Sequence, residues 1–319
     1  MTTSPGTIVV AVGGNALAPP GRRATIHEQF AHTRASLHAV VLLAERGWNI
    51  TIVHGNGPQV GDELERAELA ATRVEPLPLG VLVAATAGWI GYMVQQSLQN
   101  ALDLAGVDRE VLTVITQSVV QRDDPALRQS TKPIGHELSL DARRRLEAEG
   151  RVVGQDGAGR WRRLAPSPVP VDVVEADAVR RLVAEGKIVV AAGGGGPPVY
   201  RDERQGWEGV DAVVDKDRVA AVLGARLGAD TLLILTDVDA VYRDWGQLTA
   251  RPLRRMSVRE ARAVVQDGGL GTGSMRPKVE AAIEFVTQGG RRATIAHLEH
   301  GLDALEGRTG TTIVEGEGS

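Results

Sequence analysis

Six short apolar runs punctuate the chain: TIVVAV (7–12), NITIVH (49–54), VLTVIT (111–116), KIVVAA (187–192), TLLILT (231–236) and RATIAH (292–297). They are rich in β-branched residues and nearly continuous rather than alternating, the pattern of strands covered on both faces. Between them lie stretches with apolar positions at helical spacing, among them 27–46, 80–105, 175–185, 216–227, 257–266 and 277–289. Strand–helix alternation of this kind predicts an open, mostly parallel α/β fold of three layers. Residues 121–172 break the alternation. Their second half, GRVVGQDGAGRWRRLAPSPVP, predicts a hairpin around GQDGAG ended by Pro166, Pro168 and Pro170. This segment reads as a lid-like subdomain inserted into the sheet order.

Composition narrows the class. The 319 residues are 43% hydrophobic and 24% charged, enough for a large core in one α/β domain or two lobes. The net charge is -4, and the arginines at 143–145 and 162–163 read as solvated faces, so nucleic acid is not an expected partner. There is no cysteine, which excludes disulfides, a thiol nucleophile and Cys-based metal sites. The N-terminal residues lack the basic and long apolar regions of a signal peptide, and the longest apolar stretch, 81–94, is too short to span a bilayer. A cytoplasmic protein without membrane contact is expected. With ten aromatics, the core must be built from Val, Leu, Ile and Ala, while the 38 glycines cluster.

Three runs end directly in glycine-rich turns: VVAVGGNALA (9–18), IVHGNGPQVG (52–61) and VVAAGGGGPPV (189–199). Ligands of open parallel sheets bind beyond the carboxyl ends of the strands, where backbone N–H groups and helix N-termini wrap anionic oxygens. Neither the P-loop signature nor the dinucleotide fingerprint is present, nor are H-E-x-x-H or G-x-S-x-G. Two lysines, Lys216 and Lys278, fall in predicted first helical turns, where the macrodipole disfavours cations. Either an anion lies between them or each pairs locally, Lys216 with Asp215 or Asp217 and Lys278 with Glu280. Asp237 and Asp239 follow a strand and suit either turn chemistry or a loop lining a nucleotide, with Tyr242 near the base. His54 ends a strand and reads as a hydrogen-bonded structural residue.

The order GGNAL, VHGNGPQVG, TKPIG, GGGGPPV, VVDKD, LTDVDAVY, GSMRPKVEAA and GTTI closely resembles carbamate kinase, of the amino acid kinase superfamily, from residue 7 to about 314. The resemblance implies an αβα sandwich with a mostly parallel sheet, and a homodimer with helix 80–105 at its interface, a stretch whose residues equally suit an ordinary core helix. It implies reversible phosphoryl transfer between ATP and carbamate, giving ADP and carbamoyl phosphate, with Mg²⁺ and no metal site of the protein's own. A lobe at 1–185 would hold carbamate or carbamoyl phosphate and a lobe at 186–319 the nucleotide, the two sharing one sheet. Gly13, Gly14, Asn15, Gly55, Asn56, Gly194 and Gly195 would bind substrate or phosphate. Lys216 and Lys278 would neutralise the transferring group, Asp217 would orient the lysines, and Lys132 would reach in from the insertion. Asp237, Tyr242 and Met275 would serve the nucleotide.

Phosphoryl transfer needs in-line positioning and charge neutralisation more than covalent chemistry, and carbamate is already an anion. Backbone donors and lysines without a strong general base suit that reaction. One position departs from the family pattern: Arg276 stands where a small residue, typically glycine, separates Met275 from Pro277. It could contact nucleotide phosphates, obstruct them or face solvent. The expected direction is ATP formation in catabolism. The alternatives are a kinase of another small carboxylate, phosphonate or carbamate-like acid, and a non-catalytic nucleotide sensor.

Overall fold

The structure, a computed structural model, describes residues 5–14, 17–18, 24–270 and 274–316. The chain opens with β1 (Thr7–Val12), α1 (Ile26–Ser36), α2 (His38–Glu45), β2 (Asn49–His54), α3 (Gly57–Ala70) and α4 (Leu79–Ala105). It continues through β3 (Val111–Thr113), β4 (Ser118–Val120), β5 (Ser130–Ile134), α5 (Leu140–Ala148), β6 (Val153–Gln155), β7 (Trp161–Pro166), β8 (Pro170–Val173) and α6 (Ala176–Ala184). Then come β9 (Ile188–Val190), β10 (Pro198–Asp202), β11 (Gly206–Gly209), α7 (Lys216–Leu227), β12 (Thr231–Thr236), β13 (Val241–Arg243) and β14 (Arg251–Leu253). The last elements are β15 (Arg255–Ser257), α8 (Val258–Gln266), α9 (Met275–Thr287), β16 (Arg292–His297), α10 (Gly301–Leu305) and β17 (Thr311–Val314).

Eight strands form one sheet in the order β15-β17-β16-β12-β1-β2-β9-β3. Every pairing is parallel except β16 with β17. The apolar runs are continuous because successive residues feed two cores. Val9, Ala11, Leu232 and Ile234 pack beneath α7 and α9, while Ile8, Val10, Leu233 and Leu235 pack with α2 and α4 on the other face. That is the αβα sandwich. The sheet is continuous across the expected lobe boundary, and β9, just past residue 185, lies between β2 and β3.

Several local expectations change. The helix read at 27–46 divides at Leu37, whose φ of -91° and ψ of 0° leave its N–H on Arg34 rather than in the regular ladder. Ser36 Oγ donates to the His32 carbonyl at 2.9 Å, a back-bond that bends helices. The runs 111–116 and 187–192 yield three-residue strands, the second because the chain leaves the sheet for the left-handed Ala192, with φ of 49°. Within 121–172, β5, β7 and β6 form a three-stranded antiparallel sheet carrying α5. The hairpin turn is pinned by Asp156, whose Oδ1 accepts the N–H groups of Ala158 and Arg160. Pro170, however, opens β8, which pairs with β4 in a separate sheet, β11-β10-β4-β8. No helix among the described residues is long and apolar enough to cross a membrane.

Candidate active site

A cleft of about 700 Å³ opens beyond the carboxyl ends of β1, β2 and β12. The inserted sheet overhangs it, contributing Lys132, His136, Arg160 and Arg162 to the wall, and α7 and α9 supply the floor. Helix α7 starts at Lys216 because Asp215 caps it, accepting the N–H groups of Asp217 at 2.9 Å and Arg218 at 3.3 Å. Gly228, with φ of 65°, ends it. This cap aims Lys216 and Asp217 into the cleft from one turn.

The floor is a chain of charges. Lys216 donates to one oxygen of Asp217 at 2.5 Å, and Lys278, arriving from α9, donates to the other at 3.0 Å. Their side chains are 11%, 3% and 9% exposed in the order Lys216, Asp217, Lys278. Burial works to raise the Asp217 pKa, but the two ammonium groups outweigh it and hold the carboxyl below its ordinary range. Burial lowers the Lys216 pKa, with Asp217 opposing and Lys278 reinforcing the shift. Burial also works against the charged form of Lys278, but Asp217 prevails and lifts its pKa above the ordinary lysine value. Two lysines sharing one carboxylate leave an excess of one positive charge at a desolvated floor, where an incoming anion is strongly favoured. Beside them Lys132 pairs with the free oxygen of Asp215; burial would raise that carboxyl, and Lys132 keeps it depressed.

The glycine turns interlock around this floor. A Cβ at Gly55 would stand 3.2 Å from the Lys216 stem and 3.3 Å from the Gly14 nitrogen, so the bare backbone lets all three meet. Gly194 and Gly195 have φ of 65° and 87°, conformations that side chains disfavour. They also lie flush against neighbours, since a Cβ would stand 2.2 Å from Asn56 Nδ2 or 2.4 Å from the Val214 carbonyl. The turn at 193–196 is thereby wedged between the end of β2 and the start of α7.

Of the residues expected from sequence, Lys132, Lys216, Asp217, Lys278, Gly14, Gly55, Asn56, Gly194 and Asp237 line this one cleft. Gly13 and Gly195 stand behind the lining, Gly13 donating to the Leu235 carbonyl at 3.3 Å. Asn15 lies outside the described residues. Tyr242 and Met275 do not line the cleft. Tyr242 donates its hydroxyl to Asp239 at 2.9 Å and meets Trp245 edge-on, and Met275 packs against the core. Lys278 pairs with Asp217, not with Glu280. Arg276 faces solvent at 58% exposure and donates to Glu280 at 2.9 Å, so it neither contacts nor obstructs the cleft. Sequence reasoning missed Arg160 and Arg162; the pair Arg162–Arg163 reads as a solvated face, and only the hairpin geometry turns Arg162 to this cleft while Arg163 pairs with Glu68.

A cationic floor, backbone wrapping and a position beyond the strand ends are what transfer of an anionic group requires. The chain belongs to the amino acid kinase family, whose model matches residues 6–297, and is an ATP-dependent kinase. Its relatives place it among the carbamate kinases. It is 43% identical to the carbamate kinase of Pyrococcus horikoshii over 97% of this chain and 99% of that one. It is 44% identical to that of Halobacterium salinarum over 96% and 97%. Among solved structures, the carbamate kinase of Giardia lamblia bound to citric acid superposes with a TM-score of 0.92 at 32% identity, over 98% and 99% of the two chains.

Proposed function

We propose that this cleft transfers a phosphoryl group between carbamoyl phosphate and ADP, running toward ATP in the cytoplasm. The observation that carries the reading is the buried Lys216–Asp217–Lys278 cluster beneath three glycine turns. Lys216 and Lys278 neutralise the charge that spreads over the transferring group, and Asp217 holds both ammonium groups in place. Gly14, Asn56 and Gly194 wrap the carbamoyl end with backbone and amide donors, with Asn15 expected beside them. Gly55, whose N–H is held by the Val12 carbonyl, keeps the Lys216 stem and the Gly14 nitrogen close together, and Gly13 and Gly195 stand behind. Lys132 exchanges its partner Asp215 for substrate oxygens as the insertion closes. The nucleotide lies on the side of residues 186–319, past Asp237; Tyr242 holds that loop through Asp239, while Met275 sits on the core at the start of α9. A Giardia lamblia carbamate kinase, 32% identical, is solved with AMP-PNP, a nucleotide of the same class.

Mg²⁺ fits this site as a passenger on the nucleotide. The carboxylates of Asp215 and Asp217 are committed to lysines. When bound, the ion would be held by nucleotide phosphate oxygens and water rather than by these two carboxylates. It would add charge neutralisation to that of the lysines. The chain works as a homodimer through α4, whose Val81 and Tyr92 are exposed. The test is ATP formation from ADP and carbamoyl phosphate: robust turnover supports the reading, and tight nucleotide binding without turnover replaces it with a sensor.

A further inference from the structure

His54 ends β2 fully buried, one residue before the glycine that touches Lys216, and nothing in the reaction uses it as an acid or base. Its Nδ1 stands 3.0 Å from the Gly55 carbonyl oxygen, to which it donates in the neutral tautomer that carries the proton there. Its buried Nε2 has only the backbone of Ala87 within reach, at a geometry short of a full hydrogen bond. A polar atom left in that state costs free energy, so the position calls for a physical explanation.

The explanation lies in what the ring touches. Its other edge fills the space beneath Gly193, where a Cβ would stand 2.5 Å from Nε2 and 2.8 Å from Cε1. Asn56, two residues on, lies in the same way under Gly194 while donating to Thr86 Oγ1 at 2.9 Å. One imidazole therefore braces two glycine turns at once. Through the Gly55 carbonyl it fixes the backbone that confines the Lys216 stem and the Gly14 nitrogen. Through Gly193 it sets the height of the turn at 193–196, whose Gly195 abuts Val214 just ahead of Asp215. Burial pushes the ring down to about pH 4 as its titration point, against the pull of backbone carbonyls and with help from Lys216, so it is neutral in the working range.

We infer that His54 is a positioning residue for phosphoryl transfer, a neutral bracket that holds the glycine turns in register with Lys216. It touches no reacting atom. The inference rests on the proposed role of the cleft, and it makes a specific kinetic demand. Loosening the bracket displaces donors around the transferred group, whereas the nucleotide side past Asp237 is not braced by it.

The experiment compares His54→Leu, which fills the space without a donor, with His54→Asn, whose amide can donate to the Gly55 carbonyl. In ATP formation from ADP and carbamoyl phosphate, His54→Leu is expected to lose about 10-fold or more in kcat, since sub-ångström misplacement is costly in such sites. Its KM for ADP should stay within about 2-fold, and His54→Asn should recover most of the lost kcat. A folded His54→Leu enzyme with kcat within about 2-fold of the parent overturns the inference, as does a loss that His54→Asn does not relieve.

Gly193→Ala provides a second route that does not depend on the folding of His54→Leu. The added methyl strikes the ring, so this variant alone should lose kcat. Combining it with His54→Ala should return part of that loss, because the methyl then has room. Strict additivity of the two changes overturns the inference. Failure of the parent enzyme to turn over would instead overturn the proposed function, so the two failures are distinguishable.

Discussion

Arg276 and Lys278 stand two residues apart near the start of α9, yet they meet opposite fates. Arg276 points outward, 58% exposed, and pairs with Glu280 one turn along the same helix. Lys278 points inward, 9% exposed, and pairs with Asp217, 61 residues away in sequence, which Lys216 already holds. The outer pair is screened by water and contributes little, about 0.3–0.5 kcal/mol for pairs of this spacing. The inner cluster carries two charges that have lost their water and share a single counter-ion. A fold does not bury such a group for stability, since removing water from charges costs more than a pair usually returns. It keeps the group where an incoming anion completes the pairing. Exposure, rather than proximity to a helix start, separates a functional cation from an ornamental one.

The contrast can be broken most forcefully at its centre. Asp217→Ala leaves two buried ammonium groups facing one another, and breaking a buried pair costs about 3–5 kcal/mol. Denaturant titration should show that loss, and ATP formation should fall with it. If stability and turnover both hold, Asp217 does not organise the lysines.

Acidification probes the same interior. The His54 pKa falls from the ordinary 6.5 to about 4 on folding. Between those values the unfolded chain binds the extra proton, so stability is full above pH 6.5 and declines as pH falls toward 4. At 1.36 kcal/mol per unit the decline between pH 7 and pH 4.5 is about 2.5 kcal/mol, read as the difference between parent and His54→Leu in urea unfolding at the two pH values. Equal slopes in the two proteins would show that the ring titrates normally.

Lys132→Ala should raise the KM for carbamoyl phosphate about 10-fold, the effect of one charge-assisted contact, with a smaller change in kcat. A change confined to the KM for ADP would move Lys132 to the nucleotide side. Smallest of all, Arg276→Gly should leave the KM for ADP within about 2-fold and stability within about 1 kcal/mol, glycine's helix cost included. A larger shift in that KM would bring Arg276 back into the site.

Much of this was legible in the chain. Strands such as β1 and β12 could be read because two cores take alternate residues, which leaves polar positions only at the threonines that end the runs. Helix α7 could be read to the residue because Asp215 and Gly228 cap it. The sheet β11-β10-β4-β8 could not, since its strands are three to five residues long and several begin or end in Pro or Gly. Convergence of Lys132 with Lys216 and Lys278 was inferred from motif order, not from spacing. What sequence could not show is the choice of partner. Lys278 lies two residues from Glu280 and in another helix from Asp217, and only the packing of α7 against α9 selects the second. His54 illustrates the same limit, because its role depends on Gly193, which reaches it only through the fold.

The central claim is that the buried lysine at the start of α7 neutralises the group in flight. It is tested most directly by the kcat of Lys216→Ala for ATP formation from ADP and carbamoyl phosphate. The account predicts a fall of about 10²-fold or more, the scale of a lost transition-state charge contact. A folded Lys216→Ala enzyme with kcat close to that of the parent would contradict it.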